Sequence, residues 1–292
     1  MEEKRAVDGL GAVALTGFAA LLAFNQVVIK VTGSGFNPLF QAGLRSLLGF
    51  GVILAWMHFR KTRPMTQVPG ATKWGLVAGL LFAQEFICLY AALDIGSVSR
   101  VSILFYSMPV WLAIIAHFIL PGERLTPIRS VGLILAMAGV ALALLDRDSQ
   151  NASLLADGLS LLAAFGWAGI ALCLRLTPLA KVPPETQLYH QLLFSAPVML
   201  VLSPLFGPLI RDLQPIHFAG LAFQVLAVAS FGYLAWFVLI KIYRASSVAS
   251  FSFLSPVLAV IMGWAILGEQ IGVQVWGALA LVAAGVVLIN RK

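Results

Sequence analysis

Charge is what this chain has least of. Only 11% of its 292 residues are Asp, Glu, Lys or Arg, against 60% hydrophobic residues and a mean hydropathy of +0.95. A soluble domain carries about 25% charged residues, so a water-exposed surface of ordinary composition is excluded. Cysteine is nearly missing as well. Cys88 and Cys173 both fall inside apolar runs, which makes neither a disulfide framework nor a metal site. The motifs of the usual chemistries are absent too: there is no His-Glu-x-x-His, no Gly-x-Ser-x-Gly, no Gly-x-x-x-x-Gly-Lys and no pair of aspartates within an apolar run. Intramembrane proteolysis and nucleotide hydrolysis by this chain therefore lack their machinery, no enzyme is expected, and no cofactor or metal is called for. Nor does the sequence show the ten-residue segments of strict alternation from which membrane barrels are built.

What is present is a series of apolar runs of about 20 residues, the length that crosses a bilayer as a helix. Ten spans are expected, at Gly9–Lys30, Pro38–Phe59, Trp74–Ala92, Val98–Leu120, Pro127–Leu145, Asp157–Thr177, Gln187–Phe206, His217–Ile240, Ser246–Leu267 and Gly272–Asn290. The first has a charged tip like a signal peptide, but its run is long and lacks a small-x-small cleavage site. With only short connections left over, no soluble catalytic domain fits. The fold class is an all-α polytopic membrane protein.

The stretch Ser99–Leu145 recurs as Ser246–Ile289. Pro109 matches Pro256, the pair Gly122-Glu123 matches Gly268-Glu269, and Gly139-Val140 matches Gly285-Val286, at offsets of 147, 146 and 146. Asp8-Gly9-Leu10 and Asp157-Gly158-Leu159 open the two halves. The chain is read as a duplication, with residues 1–148 and 149–292 each supplying five helices. Because five is odd, the halves enter the membrane from opposite sides, an inverted repeat of the kind that places a site near the midplane and exposes it to each side in turn.

The net charge of +7 speaks for membrane orientation and not for nucleic acid. With the N-terminus cytoplasmic, 14 of the 19 Lys and Arg fall in inner segments, four (Lys30, Arg100, Arg147 and Arg211) in outer ones, and Arg45 within a span. This bias places both termini in the cytoplasm of a multi-pass inner-membrane protein. The expected partners are the lipid bilayer and a small-molecule substrate; a monomer is compatible with the sequence.

Proline-bearing fourth helices, Gly-Glu turns and Gly-Val fifth helices in two five-helix units resemble the drug/metabolite transporter superfamily, and within it the EamA-type exporters. The resemblance is carried by "LYAALDIGSVSRVSILFYSMPV" around Pro109, "LGEQIGVQVWGALALVAAGVVL" from Leu267 and the Arg45 of "FQAGLRSLLG". It covers the whole chain. It implies secondary transport that exports small metabolites by alternating access, with amino acids first and drugs or nucleosides as the alternative; an intramembrane enzyme or a scaffold is the reading from another class. The second half departs at "QLYHQLLFSAP", which has no arginine, so whatever Arg45 does is not duplicated.

Ionisable groups inside spans give the sharpest residue-level signal, because a charge at a helix centre costs about 2.5–3.5 kcal/mol on insertion scales. Arg45 and Glu85 both lie about 10 Å deep by helical rise. They are expected to pair with each other, to meet charged parts of a substrate, or, for Glu85, to carry a coupling proton. Asn25, Gln84, Tyr106, Trp167, His190 and Tyr233 complete the expected substrate-binding set. Gln191 and Gln224 also lie at useful depth, and Trp111 and Phe165 stand beside Trp167 as a pocket wall or as core. Pro109 and Pro256 are read as hinges on which gating bends, or as static kinks, with Ser102, Ser107, Ser250, Ser252 and Ser255 able to meet freed carbonyls. Glu123 and Glu269 are expected to cap the helix that follows each.

Overall fold

The computed structural model describes residues 8–62, 68–119, 125–145, 153–243 and 254–289. Lipid cannot hydrogen-bond a backbone, so each apolar run must satisfy its own amides and does so as a helix. The helices are α1 (Gly9–Gly33), α2 (Pro38–Phe59), α3 (Ala71–Ile95), α4 (Val98–Phe105), α5 (Met108–Ile119), α6 (Pro127–Leu145), α7 (Leu154–Leu176), α8 (Pro184–Leu202), α9 (Pro215–Phe223), α10 (Tyr233–Ile242), α11 (Leu254–Leu267) and α12 (Val273–Ile289). α4 and α5 together make one span, and α9 and α10, joined by a π-helical segment over Gln224–Gly232, make another. Among the described residues, eight spans are long and apolar enough to cross a membrane, and α11 and α12 are shorter apolar helices.

Local chemistry fixes the starts. Asp8 Oδ1 accepts from Gly11 N at 2.7 Å, Asn37 Oδ1 accepts from Leu39 N and Phe40 N with Pro38 at the first helical position, and Ser153 Oγ caps α7. Two irregularities were not expected. The fourth span is not one helix with a proline inside it: α4 stops at Phe105, and Pro109 is the second residue of α5, where its missing N–H costs nothing. Ser107 Oγ donates to Leu104 O at 2.5 Å, and Trp111 Nε1 donates to Ser107 Oγ at 3.0 Å. Pro256 likewise sits in the first turn of α11. Ser250 and Ser252 lie outside the described residues. In the eighth span, Ser230 Oγ donates to Val225 O, five residues back, at 2.8 Å. A Cβ on Gly232 would stand 2.7 Å from Ala227 O, so the widened turn closes against a residue without a side chain.

The helices pack with the symmetry of an inverted repeat. α2 lies on α8, α4 on α11 and α6 on α12, each against its counterpart in the other half. The remaining principal contacts come in matched couples: α3 on α7 with α1 on the α9–α10 span, α3 on α8 with α2 on the π segment of that span, and α4 and α5 on α7 with α1 on α11. The halves therefore interleave, and most helix–helix contact is between them. The tightest pair is α6 with α12. A Cβ on Gly285 would lie 2.5 Å from Ala136 N and Gly132 O, and one on Gly139 would lie 2.7 Å from Ala278 O. Glycine lets the two backbones touch, as small residues do at membrane helix interfaces.

A buried central cluster

Interleaving brings polar side chains from both halves to one place. Arg45, 1% exposed, stands on α2 with its guanidinium carbon 4.2 Å from the centroid of the Phe86 ring, a cation–π arrangement. Its charge attracts the hydroxyls of Tyr90 and Tyr233 and the carboxylate of Glu85. Among the described residues, Nε and Nη1 of Arg45 have no hydrogen-bond partner, and neither does the neighbouring Ser46 Oγ. Glu85 is 5% exposed and forms no direct ion pair with Arg45; the two share a field, not a salt bridge. Tyr106, in the gap between α4 and α5, faces Gln26 of α1 and Ser255 of α11, with Tyr233 and Glu85 nearby. Three of the five tyrosines thus surround one buried cation and one buried acid.

The cluster is braced by Gln224, the first residue of the π segment and fully buried. Its Oε1 accepts from Tyr90 Oη at 2.7 Å and from Gln41 Nε2 at 3.2 Å, and its Nε2 donates to Thr32 Oγ1 at 3.3 Å. One side chain of the second half thereby ties α1, α2 and α3 of the first. Gln41 lies one turn before Arg45, so Gln224 fixes both the helix that carries the arginine and a tyrosine that flanks it.

Of the residues expected to bind substrate, the structure brings Arg45, Glu85, Tyr106 and Tyr233 together. Trp167 borders them: its ring stacks on Phe105 at 5.1 Å and meets Tyr106 edge-on at 6.0 Å. Asn25, 6% exposed, precedes Gln26 on α1, and its Oδ1 has no hydrogen-bond partner among the described residues. Gln84 and His190 are placed elsewhere. Gln84 Nε2 donates to Leu162 O at 2.9 Å on α7, and His190 bonds Thr186 O at 2.7 Å with its ring filling the notch at Gly75. Trp111 and Phe165 form a separate pair at 4.5 Å. Sequence reading missed Gln26 and Tyr90 and gave Gln224 no role. Only the spacing of Gln26 and Tyr90 in otherwise apolar helices could have signalled them.

An inverted repeat of membrane helices, with a cation and an acid buried where the halves meet and, among the described residues, not ion-paired to each other, has the build of a carrier. The sequence profile of the EamA-like transporter family matches residues 9–145 and again residues 154–291, so the chain belongs to that family. Similar proteins include the uncharacterized transporter YoaV of Bacillus subtilis (strain 168), 25% identical over 95% of this chain and 94% of that one. Another is a probable amino-acid metabolite efflux pump of Escherichia coli (strain K12), 28% identical over 88% and 87% of the two chains. A solved crystal structure matches in fold, with a TM-score of 0.67 at 20% identity over 97% of this chain and 98% of that one.

Proposed function

We propose that this transporter exports small metabolites bearing a carboxylate, amino acids foremost, across the inner membrane by alternating access. The observation that carries the reading is the buried Arg45 guanidinium, whose Nε and Nη1 lack partners among the described residues. A guanidinium presents its N–H groups as a planar fork that fits a carboxylate with two parallel bonds, and buried N–H groups left without an acceptor are costly unless a ligand supplies one. Glu85 offers the complementary charge for an ammonium group or a coupling proton. The Phe105–Trp167 stack offers apolar surface to a side chain. Relatives in Escherichia coli and Salmonella typhimurium named probable amino-acid metabolite efflux pumps point the same way.

The test is counterflow in proteoliposomes preloaded with amino acids, nucleosides or cationic drugs. Amino acids are expected to accelerate entry of labelled solute. Arg45→Gln should abolish that acceleration, and Arg45→Lys should not restore it, because an ammonium cannot make the forked contact. Acceleration by nucleosides or cationic drugs alone, unaffected in Arg45→Gln, would sink the carboxylate reading and favour the other exporter class.

A further inference from the structure

α4 differs from the other membrane segments. It has only eight residues, every one of them buried, and the Tyr106–Ser107 gap parts it from α5. Its other end is held by the opposite half of the chain. The carboxylate of Glu269, in the turn between α11 and α12, accepts from Val98 N at 2.6 Å, Ser99 N at 2.9 Å and Ser99 Oγ at 2.5 Å. Glu269 was expected to cap the helix that follows it. It caps α4 instead, and Glu123 lies outside the described residues. Within the same first turn of α4, Arg100 Nε meets Asp157 Oδ1 at 2.6 Å and Nη2 meets Oδ2 at 2.8 Å, in a forked pair with side chains 3% and 4% exposed.

The space for this fastening is built in. A Cβ on Gly263 would lie 2.7 Å from Glu269 Oε2 and 2.9 Å from Ser99 Oγ, and Gly268 takes φ +67 to turn the chain before Glu269. A buried ion pair adds little net stability over apolar packing, whereas one that is made and broken as a unit separates two states sharply. Both fastenings act on one short element, and both reach it from the other repeat. They lie at the end of the bundle away from the termini, where the Arg211–Asp94 pair and the Asn37 bonds to Ser203 and Gly207 also cross between halves.

We propose that α4 is the gate of the face opposite the termini: a plug hinged at Tyr106–Ser107 and latched by Glu269 and by the Arg100–Asp157 pair. In this structure the latch is shut. Release would swing the N-terminal end of α4 away from α7 and α11 and open a path down to Tyr106 and the cluster beneath it. The inference rests on the alternating-access reading, but the labelling that tests it first needs no substrate.

In a Cys88→Ala/Cys173→Ala background, Ser102→Cys places a thiol midway along α4, where the native side chain is fully buried. Reconstituted protein is treated with a membrane-impermeant thiol reagent from each face in turn. The parent should react slowly from the face opposite the termini. Asp157→Asn and Glu269→Gln should each raise that rate about tenfold, the response to about 1.4 kcal/mol in the opening equilibrium. The exchanged pair Arg100→Asp/Asp157→Arg should bring it back, which separates a latch from a general loosening. Rates that stay at the parent value in both single variants would overturn the proposal, as would a rise that the exchange fails to reverse. Counterflow that survives a short thiol bridge between Ser99→Cys and Glu269→Cys would overturn it as well. If Arg45→Gln leaves transport intact while the labelling pattern holds, the substrate reading fails and the gate stands.

Discussion

At the scale of single residues, the central cluster is held by hydrogen bonds that the bilayer offers no means of replacing. Gln224→Leu would leave the Tyr90 hydroxyl, the Gln41 amide and the Thr32 hydroxyl short of a partner, and each unsatisfied buried group costs about 1–3 kcal/mol. The melting temperature in detergent should fall clearly; an unchanged melting curve would show that the network does not brace the fold. Glu85 invites a different measurement. Its carboxylate makes no ion pair in the described structure, so Glu85→Gln should fold normally. If Glu85 carries a coupling proton, that variant keeps exchange of solute for solute and loses the response to an imposed proton gradient. Gradient-driven transport that survives the substitution would assign the coupling elsewhere. At the rim of the bundle, Asp94 accepts from both terminal nitrogens of Arg211 and pushes the arginine's pKa up, so the guanidinium stays charged.

At the scale of elements, glycine decides where helices touch. Gly285→Ala would drive a methyl group into the backbone of α6, 2.5 Å from Ala136 N and Gly132 O, and α6 must retreat. The expected loss is about 1–3 kcal/mol, as for overpacking elsewhere. Gly17→Ala makes the contrast, since nothing lies within 4 Å of its would-be Cβ, and a gain of about 0.5–1 kcal/mol from helix propensity is expected. Thermal unfolding of the two variants side by side distinguishes a contact effect from an intrinsic one. The same scale explains why the prolines mislead. Pro109 signals a break, but the break falls before it, at Tyr106–Ser107, because proline is tolerated in a helix's first turn and not in its interior.

At the scale of the whole molecule, the two repeats are not two bodies. α2 pairs with α8, α6 with α12 and α3 with α7, so neither half has a core without the other. Orientation is set by charge: the loop after α2 should face the cytoplasm and the segment before α9 the outside. An impermeant thiol reagent applied to intact cells should label Asp212→Cys and spare Thr62→Cys in the cysteine-free background. The opposite pattern would invert the topology and, with it, the face that α4 closes.

Much of this was legible from residue order. The bounds of Pro38–Phe59 and Pro127–Leu145 match the helices α2 and α6 at both ends, because lipid forces each apolar run to close its own hydrogen bonds whatever lies beside it. The matched Pro, Gly-Glu and Gly-Val pairs carried the inverted repeat in the same way, and Arg45 and Glu85 stood out because charge is expensive where they sit. What the sequence alone could not decide is which groups meet. Glu269 reaches Ser99 across 170 positions, and Gln224 reaches Thr32 across 192. Asp157 lies three residues inside α7, not at its start, and that puts it against Arg100. Helix formation is local and therefore written in neighbouring residues; the cluster and the latch depend on how interleaved helices settle against one another, which only the packed chain determines.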